Sequence, residues 1–228
     1  MLFDFHTHTF HSDGVLSPVE LIHRAFIQKY AAIAIADHVA TGSLKRVIEE
    51  ISEDCELARK YWNIIAIPAV ELTHLPPQAI SDTAQKAKEL GAWLVVVHGE
   101  TPVEPVPKGT NLAAVKSPYV DILAHPGFIT SDEIEIAQEN NVFLELSARR
   151  GHSKTNSYIA SECRNTGIKL LVNSDAHSED DLLTTEQATK ILDDAGIDID
   201  QHHTILEQNP LLLIDRISKS RPSFKGMT

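Results

Sequence analysis

Twelve histidines stand among the 228 residues of this chain, and where they sit matters more than their number. His6 and His8 flank Thr7 at the end of a short apolar run. In an extended backbone residues i and i+2 project to the same side, so both imidazoles can address one cation. Asp37-His38, Glu71, His98, His125-Pro126 and Asp175-Ala176-His177 lie at the ends of further apolar runs, and Glu145 lies within another. Nitrogen and oxygen donors without thiolates suit Zn²⁺, Mn²⁺ or Fe²⁺, and this set exceeds the three or four protein ligands of a mononuclear catalytic site, so more than one ion is implied. Neighbouring ions can generate a nucleophile near neutral pH and hold both the entering and the leaving oxygen of a phosphoryl transfer. The residues alone reach only hydrolysis at an electrophilic phosphorus or carbon. Each histidine taken singly reads equally well as an ordinary core or surface histidine; a donor at the end of nearly every run does not.

The runs that must position these donors are Leu2–Phe5, Ala32–Ala36, Ile64–Val70, Trp93–Val97, Asp121–Ala124, Val142–Leu146 and Lys169–Val172, which read as seven strands. Segments of helical pattern lie between them: Pro18–Lys29, Leu44–Tyr61, Ala79–Leu90, Ser131–Asn140, Thr155–Thr166 and Thr184–Ala195. Ser17 ahead of Pro18 and Glu20, Ser131 ahead of Asp132 and Glu133, and Gly91, Gly167 and Gly196 mark helix ends. Alternating strands and helices predict parallel strands with right-handed crossovers, either an open doubly wound sheet or a closed barrel. In both, ligands gather at the strand C-terminal ends. Residues 99–110, with three prolines and two glycines, read as a loop over that site. Residues 1–218 read as one domain and 219–228 as a frayed basic tail.

Composition narrows the partners. Hydrophobic residues at 43% and charged residues at 23% describe an ordinary globular chain. A formal net charge of −12 argues against a broad basic surface and hence against long nucleic acid. The two cysteines, Cys55 and Cys163, suggest neither a disulfide framework nor a thiolate metal site. No basic and apolar leader is evident, and no apolar run approaches the ~18 residues of a membrane span. A cytoplasmic protein with no membrane partner is the expectation.

In order, HTHTFHSDG, IADH, AVELT, VVVHGE, LAHPG and NSDAH resemble the motifs of the PHP family, named for polymerase and histidinol phosphatase, from Leu2 to about Ser178. The resemblance implies an α/β fold, a distorted seven-stranded (β/α)7 TIM-like barrel with its metal site at the strand C-terminal ends, and two or three divalent ions. Position by position it implies that His6, His8, Glu71 and Asp175 hold one ion, that Glu71 bridges to a second held by His98 and His125, and that Asp13, His38 and His177 hold a third. His11 is an outside candidate at the third position, where some relatives carry histidine in place of Asp13.

The resemblance further implies a histidinol-phosphatase-like phosphomonoesterase acting on a small phosphorylated metabolite, with a metal-bound hydroxide attacking phosphorus in line. Asp175, His177 and Arg149 are expected to act in that chemistry. Arg149 and Arg150 after the sixth strand, and Lys108 in the proline-rich loop, are candidate phosphate contacts. One rival is a phosphodiesterase or exonuclease acting on nucleotides or short oligonucleotides. Another is a catalytically silent, metal-stabilised binding module, against which the complete ligand set argues. Asp37 reads equally as a residue orienting His38 and as a helix cap. His74 and His152 could line the substrate pocket but read more readily as loop histidines, Asp4 reads as a paired structural carboxylate, and His23, His202 and His203 as structural.

Overall fold

The computed structural model describes residues 1–221. Strands and helices follow one another as β1 (Leu2–Asp4), α1 (Pro18–Ile27), β2 (Tyr30–Ile35), β3 (His38–Val39), α2 (Leu44–Tyr61), β4 (Ile65–Leu72), α3 (Pro77–Leu90), β5 (Leu94–His98), α4 (Thr110–Lys116), β6 (Ile122–Ala124), α5 (Ser131–Glu139), β7 (Phe143–Ser147), α6 (Asn156–Cys163), β8 (Leu170–Asn173), α7 (Thr185–Ala195), α8 (Ile199–His203) and α9 (Asn209–Ser220). The strands pair in parallel in the order β1-β2-β4-β5-β6-β7-β8, with β3 also on β4. Ile35 pairs with Pro68 and His38 with Glu71 on that same β4, so β2 and β3 are one stave interrupted at Ala36 and Asp37. The wall therefore has the seven staves that the apolar runs predict.

The seam between the first and last staves closes at the C-terminal rim. Thr7 bridges to Ala176, the His8 amide donates to the Ala176 carbonyl at 2.8 Å, and the Asp175 amide donates to that of His6 at 2.9 Å. Just below, side chains do the joining: Asp4 accepts from the amides of Ser174 and His6 at 3.2 Å, and Asn173 Oδ1 accepts from Phe5 N at 2.9 Å. Asp4 is thus the paired structural carboxylate expected, and burial pushes it up to about 7. The result is a nearly closed, distorted seven-stranded barrel.

Both faces of the wall are buried, which is why its strands read as continuous apolar runs. Ala32, Ala34, Ala36, Ile67, Ala69, Leu94 and Val96 point inward, where the narrow barrel admits mostly small side chains. Ile33, Ile35, Val70, Val95 and Val97 point outward, against the helices. From below, α9 plugs the barrel with Leu213, Ile214 and Ile217. That helix was not foreseen, because Pro210 sits where a continuous helix would lose a hydrogen bond. A π-helical turn at Thr204–Gln208 joins α8 to α9 and sets Pro210 in the first turn of the new helix, where a missing N–H is tolerated.

Several boundaries differ from expectation for local reasons. Thr130, not Ser131, caps α5: its hydroxyl accepts from Glu133 N at 3.3 Å and the Glu133 carboxylate accepts in return from Thr130 N at 2.9 Å. Helix α6 stops at Cys163 because Asn165, rather than Gly167, adopts the left-handed conformation, φ 63°. Residues 99–109 form the expected loop, but α4 starts at Thr110 after Gly109 at φ 93°. The expected tail at 219–228 begins inside α9, which runs to Ser220, and Arg221 Nη2 donates to Ala92 O at 2.6 Å. The remainder, 222–228, lies outside the described residues.

Candidate metal centre

Strand ends aim the donors at one place. His6 and His8 leave β1 on the same side, with their Nε2 atoms 3.0 Å apart. In-register pairing sets His38 beside Glu71, and His98 is the last residue of β5. His125 and Asp175 follow β6 and β8 in left-handed backbone, φ 27° and 55°. Such a conformation costs a non-glycine residue ~1–3 kcal/mol, and it turns each side chain over the barrel mouth. Glycine is required beside them: a Cβ on Gly99 would stand 2.3 Å from Ala124 O, and one on Gly127 2.1 Å from Glu100 O. Those close approaches explain the glycines of VVVHGE and LAHPG.

Glu71 is at the centre and fully buried. Its Oε1 lies 3.3 Å from His6 Nε2 and 3.4 Å from His125 Nε2, and its Oε2 lies 2.5 Å from His38 Nδ1. Asp175 Oδ1 is 3.1 Å from His8 Nε2, and its Oδ2 is 3.8 Å from His125 Nε2. To one side Asp13 Oδ1 stands 3.1 Å from His177 Nε2, 3.6 Å from His38 Nε2 and 4.0 Å from His8 Nδ1. Donor atoms converge within 4.8 Å in four overlapping groups: His8, Asp13, His38 and His177; His6, Glu71 and His125; His6, His8 and Asp175; His125, His152 and Asp175.

These donors fit cations better than they fit one another. Glu71 Oε1, His8 Nδ1 and His125 Nδ1 are buried without a hydrogen bond, each a penalty of about 1–3 kcal/mol if left so. The facing Nε2 atoms of His6 and His8 need either a proton or a shared cation between them. Protonation states of the ion-free chain point the same way. Burial would raise Glu71, but the imidazoles of His38 and His6 hold it well below the usual carboxylate range. Burial opposes a charge on His6 and His38 too, yet Glu145 and Glu71 raise the first and Glu71 lifts the second to about 9. Burial raises Asp175. Protons thus stand where divalent ions would neutralise the same carboxylates, as expected of a site whose affinity is coupled to deprotonation.

The surrounding residues sort themselves by contact. Glu145 accepts from His6 Nδ1 at 2.8 Å and from Asn173 Nδ2 at 2.9 Å, and so orients that ring. Asp37 is neither a cap nor a partner of His38. It gathers Thr9 N at 2.7 Å, Thr9 Oγ1 at 2.7 Å and Ser12 Oγ at 2.6 Å, fixing the turn that carries Asp13. Arg149 reaches the centre: Nδ1 of His177 lies between Arg149 Nη1 at 2.8 Å and Asp175 O at 2.9 Å. Arg150 and Lys108 are not brought to it. Both are exposed, without an ion pair or hydrogen bond among the described residues. His11 turns away to Glu50 Oε2 at 3.1 Å. His23 packs on Trp62, His202 Nε2 is 3.2 Å from Ile197 O, and His203 faces Glu207, all away from the centre.

Three residues were missed by sequence reasoning. His152, read as a loop histidine, is 2% exposed, and its ring stacks 4.1 Å from that of His125. Burial and then His125 push it down to about 3, so it is neutral. Glu104 reaches in from the proline-rich loop, its Oε2 3.3 Å from His98 Nε2 and 3.7 Å from His152 Nε2. His98 consequently belongs to none of the four groups and faces Glu104. His74, in left-handed backbone at φ 57°, joins His38, Thr73, Val103 and Glu104 in lining a cavity of about 720 Å³ beside the donors. The proline-rich composition of residues 99–110 was the available signal for Glu104; nothing in the sequence distinguished His152.

Comparison with known proteins places these features in a lineage. No family model matches the chain. It is 49% identical over 218 residues to an uncharacterized protein of Methanocaldococcus jannaschii, covering 95% of this chain and all of that one. A probable phosphatase of Caldanaerobacter subterraneus subsp. tengcongensis is 28% identical over 224 residues, spanning 86% of this chain and 84% of its own. Among solved structures, the histidinol phosphate phosphatase of Lactococcus lactis, complexed with zinc, L-histidinol and phosphate, superposes with a TM-score of 0.60 at 13% identity, over 86% of this chain and 94% of the other. With the ordered motifs, the parallel seven-stave barrel and the buried carboxylate–imidazole cluster at its rim, the chain belongs to the PHP family of metal-dependent phosphoesterases.

Proposed function

We propose that the chain is a cytoplasmic phosphomonoesterase acting on a small metabolite whose alcohol portion is neutral or cationic. The observation that carries this reading is Glu71, a buried carboxylate with one unsatisfied oxygen, ringed by the inward nitrogens of His6, His38 and His125. His6, His8, Glu71 and Asp175, then Glu71 with His98 and His125, then Asp13, His38 and His177 would hold two or three divalent ions. When bound, such ions supply Lewis acidity and lower the pKa of water toward neutrality.

The chain's own residues do the rest. A His177 ring that lends Nε2 to a cation carries its proton on Nδ1 and donates a hydrogen bond to the Asp175 carbonyl. Arg149 then loses its acceptor at that atom, keeps a long bond to the Asp175 carbonyl at 3.4 Å, and can turn its remaining N–H groups to phosphoryl oxygens, which it suits in charge and fork geometry. The adjacent cavity, about 720 Å³, is the size of a metabolite site. Asp13, Glu104, Thr73 and histidines supply its polar walls, without lysine or arginine among the described residues, which favours a neutral or positively charged leaving alcohol over a second phosphate. An amino alcohol phosphate such as histidinol phosphate meets that description, and the ligands of the Lactococcus enzyme support the choice. No helix among the described residues is long and apolar enough to cross a membrane.

The test is phosphate release from protein stripped of metal and reloaded separately with Zn²⁺ and Mn²⁺. Amino alcohol monoesters, sugar phosphates, nucleotides and a diester would be compared, with Glu71→Gln as control. Metal-restored turnover, fastest on the amino alcohol esters and absent in Glu71→Gln, is expected. Preference for the diester, or release of phosphate from no ester, would overturn the reading.

A further inference from the structure

His152 shares a signature with three of the histidines proposed as metal ligands. His6, His98 and His177 each direct Nδ1 to an oxygen that is not itself a proposed ligand atom, Glu145 Oε2 at 2.8 Å, Gly99 O at 3.1 Å and the backbone Asp175 O at 2.9 Å, and leave Nε2 to face a carboxylate. Histidines that bind metal are oriented in this way by their second nitrogen. His152 does the same, with Nδ1 2.8 Å from Thr101 Oγ1. Its Nε2 makes no hydrogen bond among the described residues, and its nearest charged atoms are Glu104 Oε2 at 3.7 Å and Asp175 Oδ2 at 3.9 Å. The side chain as a whole is 2% exposed. His11, His23 and His203, which lie away from the centre, lack the pattern.

From this geometry we infer that His152 is an additional protein ligand of the metal centre, sharing with His125 and Asp175 an ion that the family motifs assign to other residues. His125 Nε2 and His152 Nε2 stand 3.8 and 3.9 Å from the same oxygen, Asp175 Oδ2. Around a tetrahedral ion with metal–ligand distances of ~2.0–2.1 Å, neighbouring donors are separated by ~3.3 Å, so these two separations would each contract by only about half an ångström. Thr101 lies in the loop between β5 and α4, two residues beyond Gly99. The loop that covers the cavity is thereby tied to the ion through the Thr101–His152 bond, and loop order follows metal occupancy.

The inference rests on the proposed metal centre, and binding of cobalt(II) alone tests the two separately. Ions per chain, affinity by chelator competition and the visible absorption of bound Co²⁺ would be measured for the unaltered chain, His152→Gln, His152→Gly with added imidazole, and Thr101→Val. Circular dichroism would confirm that each variant is folded. Expected results are loss or weakening of one ion by ~10–100-fold in His152→Gln, an altered visible band, and recovery of both in His152→Gly on adding imidazole. Thr101→Val, which frees the ring without removing it, should weaken the same ion and leave the band shape unchanged. Equal affinity and an unchanged band in His152→Gln would overturn the assignment of His152 while leaving the metal centre standing. Failure of the unaltered chain to bind cobalt would overturn both.

Discussion

Replacing Glu71 by glutamine removes one charge and almost no volume from the middle of the cluster. The carboxylate it replaces stands within 3.4 Å of nitrogens from His6, His38 and His125 and has an oxygen with no hydrogen bond. In the intact protein, a single ion present at a hundred times its dissociation constant stabilises the native state by ~2.7 kcal/mol. For a chain of this size each kcal/mol moves the midpoint of unfolding by ~2–4 °C, so saturating Zn²⁺ or Mn²⁺ should raise it by ~5–11 °C per ion. Removing one partner from a buried charged set costs ~3–5 kcal/mol, more than the ~2.7 kcal/mol gained from one ion. Calorimetric melting of both proteins across a metal titration should therefore show a large rise for the unaltered chain and less than half of it for Glu71→Gln. The same metal-dependent rise in both proteins would refute the placement of Glu71 at the heart of the site.

Other substitutions separate the roles assigned above. Arg149→Ala should lower kcat/KM on a monoester by ~10²–10³, the loss of a charge stabiliser worth ~2.7–4 kcal/mol, with the metal content by elemental analysis unchanged. Leu213→Ala, at the plug of the barrel floor, should destabilise by ~2–5 kcal/mol in denaturant unfolding and leave the number of bound ions as it was. Burial pushes both Cys55 and Cys163 up to about 12, so neither thiol should react with a disulfide reagent at neutral pH until the protein is unfolded, and rapid labelling of the native chain would contradict the burial of α2 and α6.

Sequence pattern and structure agree where one physical constraint governs both. Strands such as Leu94–His98 are buried on both faces and must be apolar throughout, which makes them visible, and each ends at the rim, which makes its polar last residue visible as well. Pairing of His38 with Glu71 follows from parallel register and needs no long-range information beyond strand order. Legibility fails where a side chain is placed by a loop. His152 reaches the centre only because the turn at 148–152 folds back beneath Thr101, and Glu104 only because the proline-rich loop bends toward His98. The floor of the barrel was hidden for a different reason: Pro210 reads as a break, and the π-helical turn that accommodates it has no sequence signature of its own. Asp37 was ambiguous because its carboxylate could equally orient His38 or cap a helix, and only the positions of Thr9 and Ser12, which take its oxygens instead, rule out both.

The claim that the rim cluster is a metal centre is tested most directly by X-ray diffraction from crystals grown with Zn²⁺, recorded on either side of the zinc absorption edge. Anomalous peaks are predicted within ~2.0–2.2 Å of the Glu71 and Asp175 carboxylates and of the inward nitrogens of His6, His8 and His125. Zinc found only at surface histidines such as His23 and His203, with the space around Glu71 free of anomalous density, would contradict it.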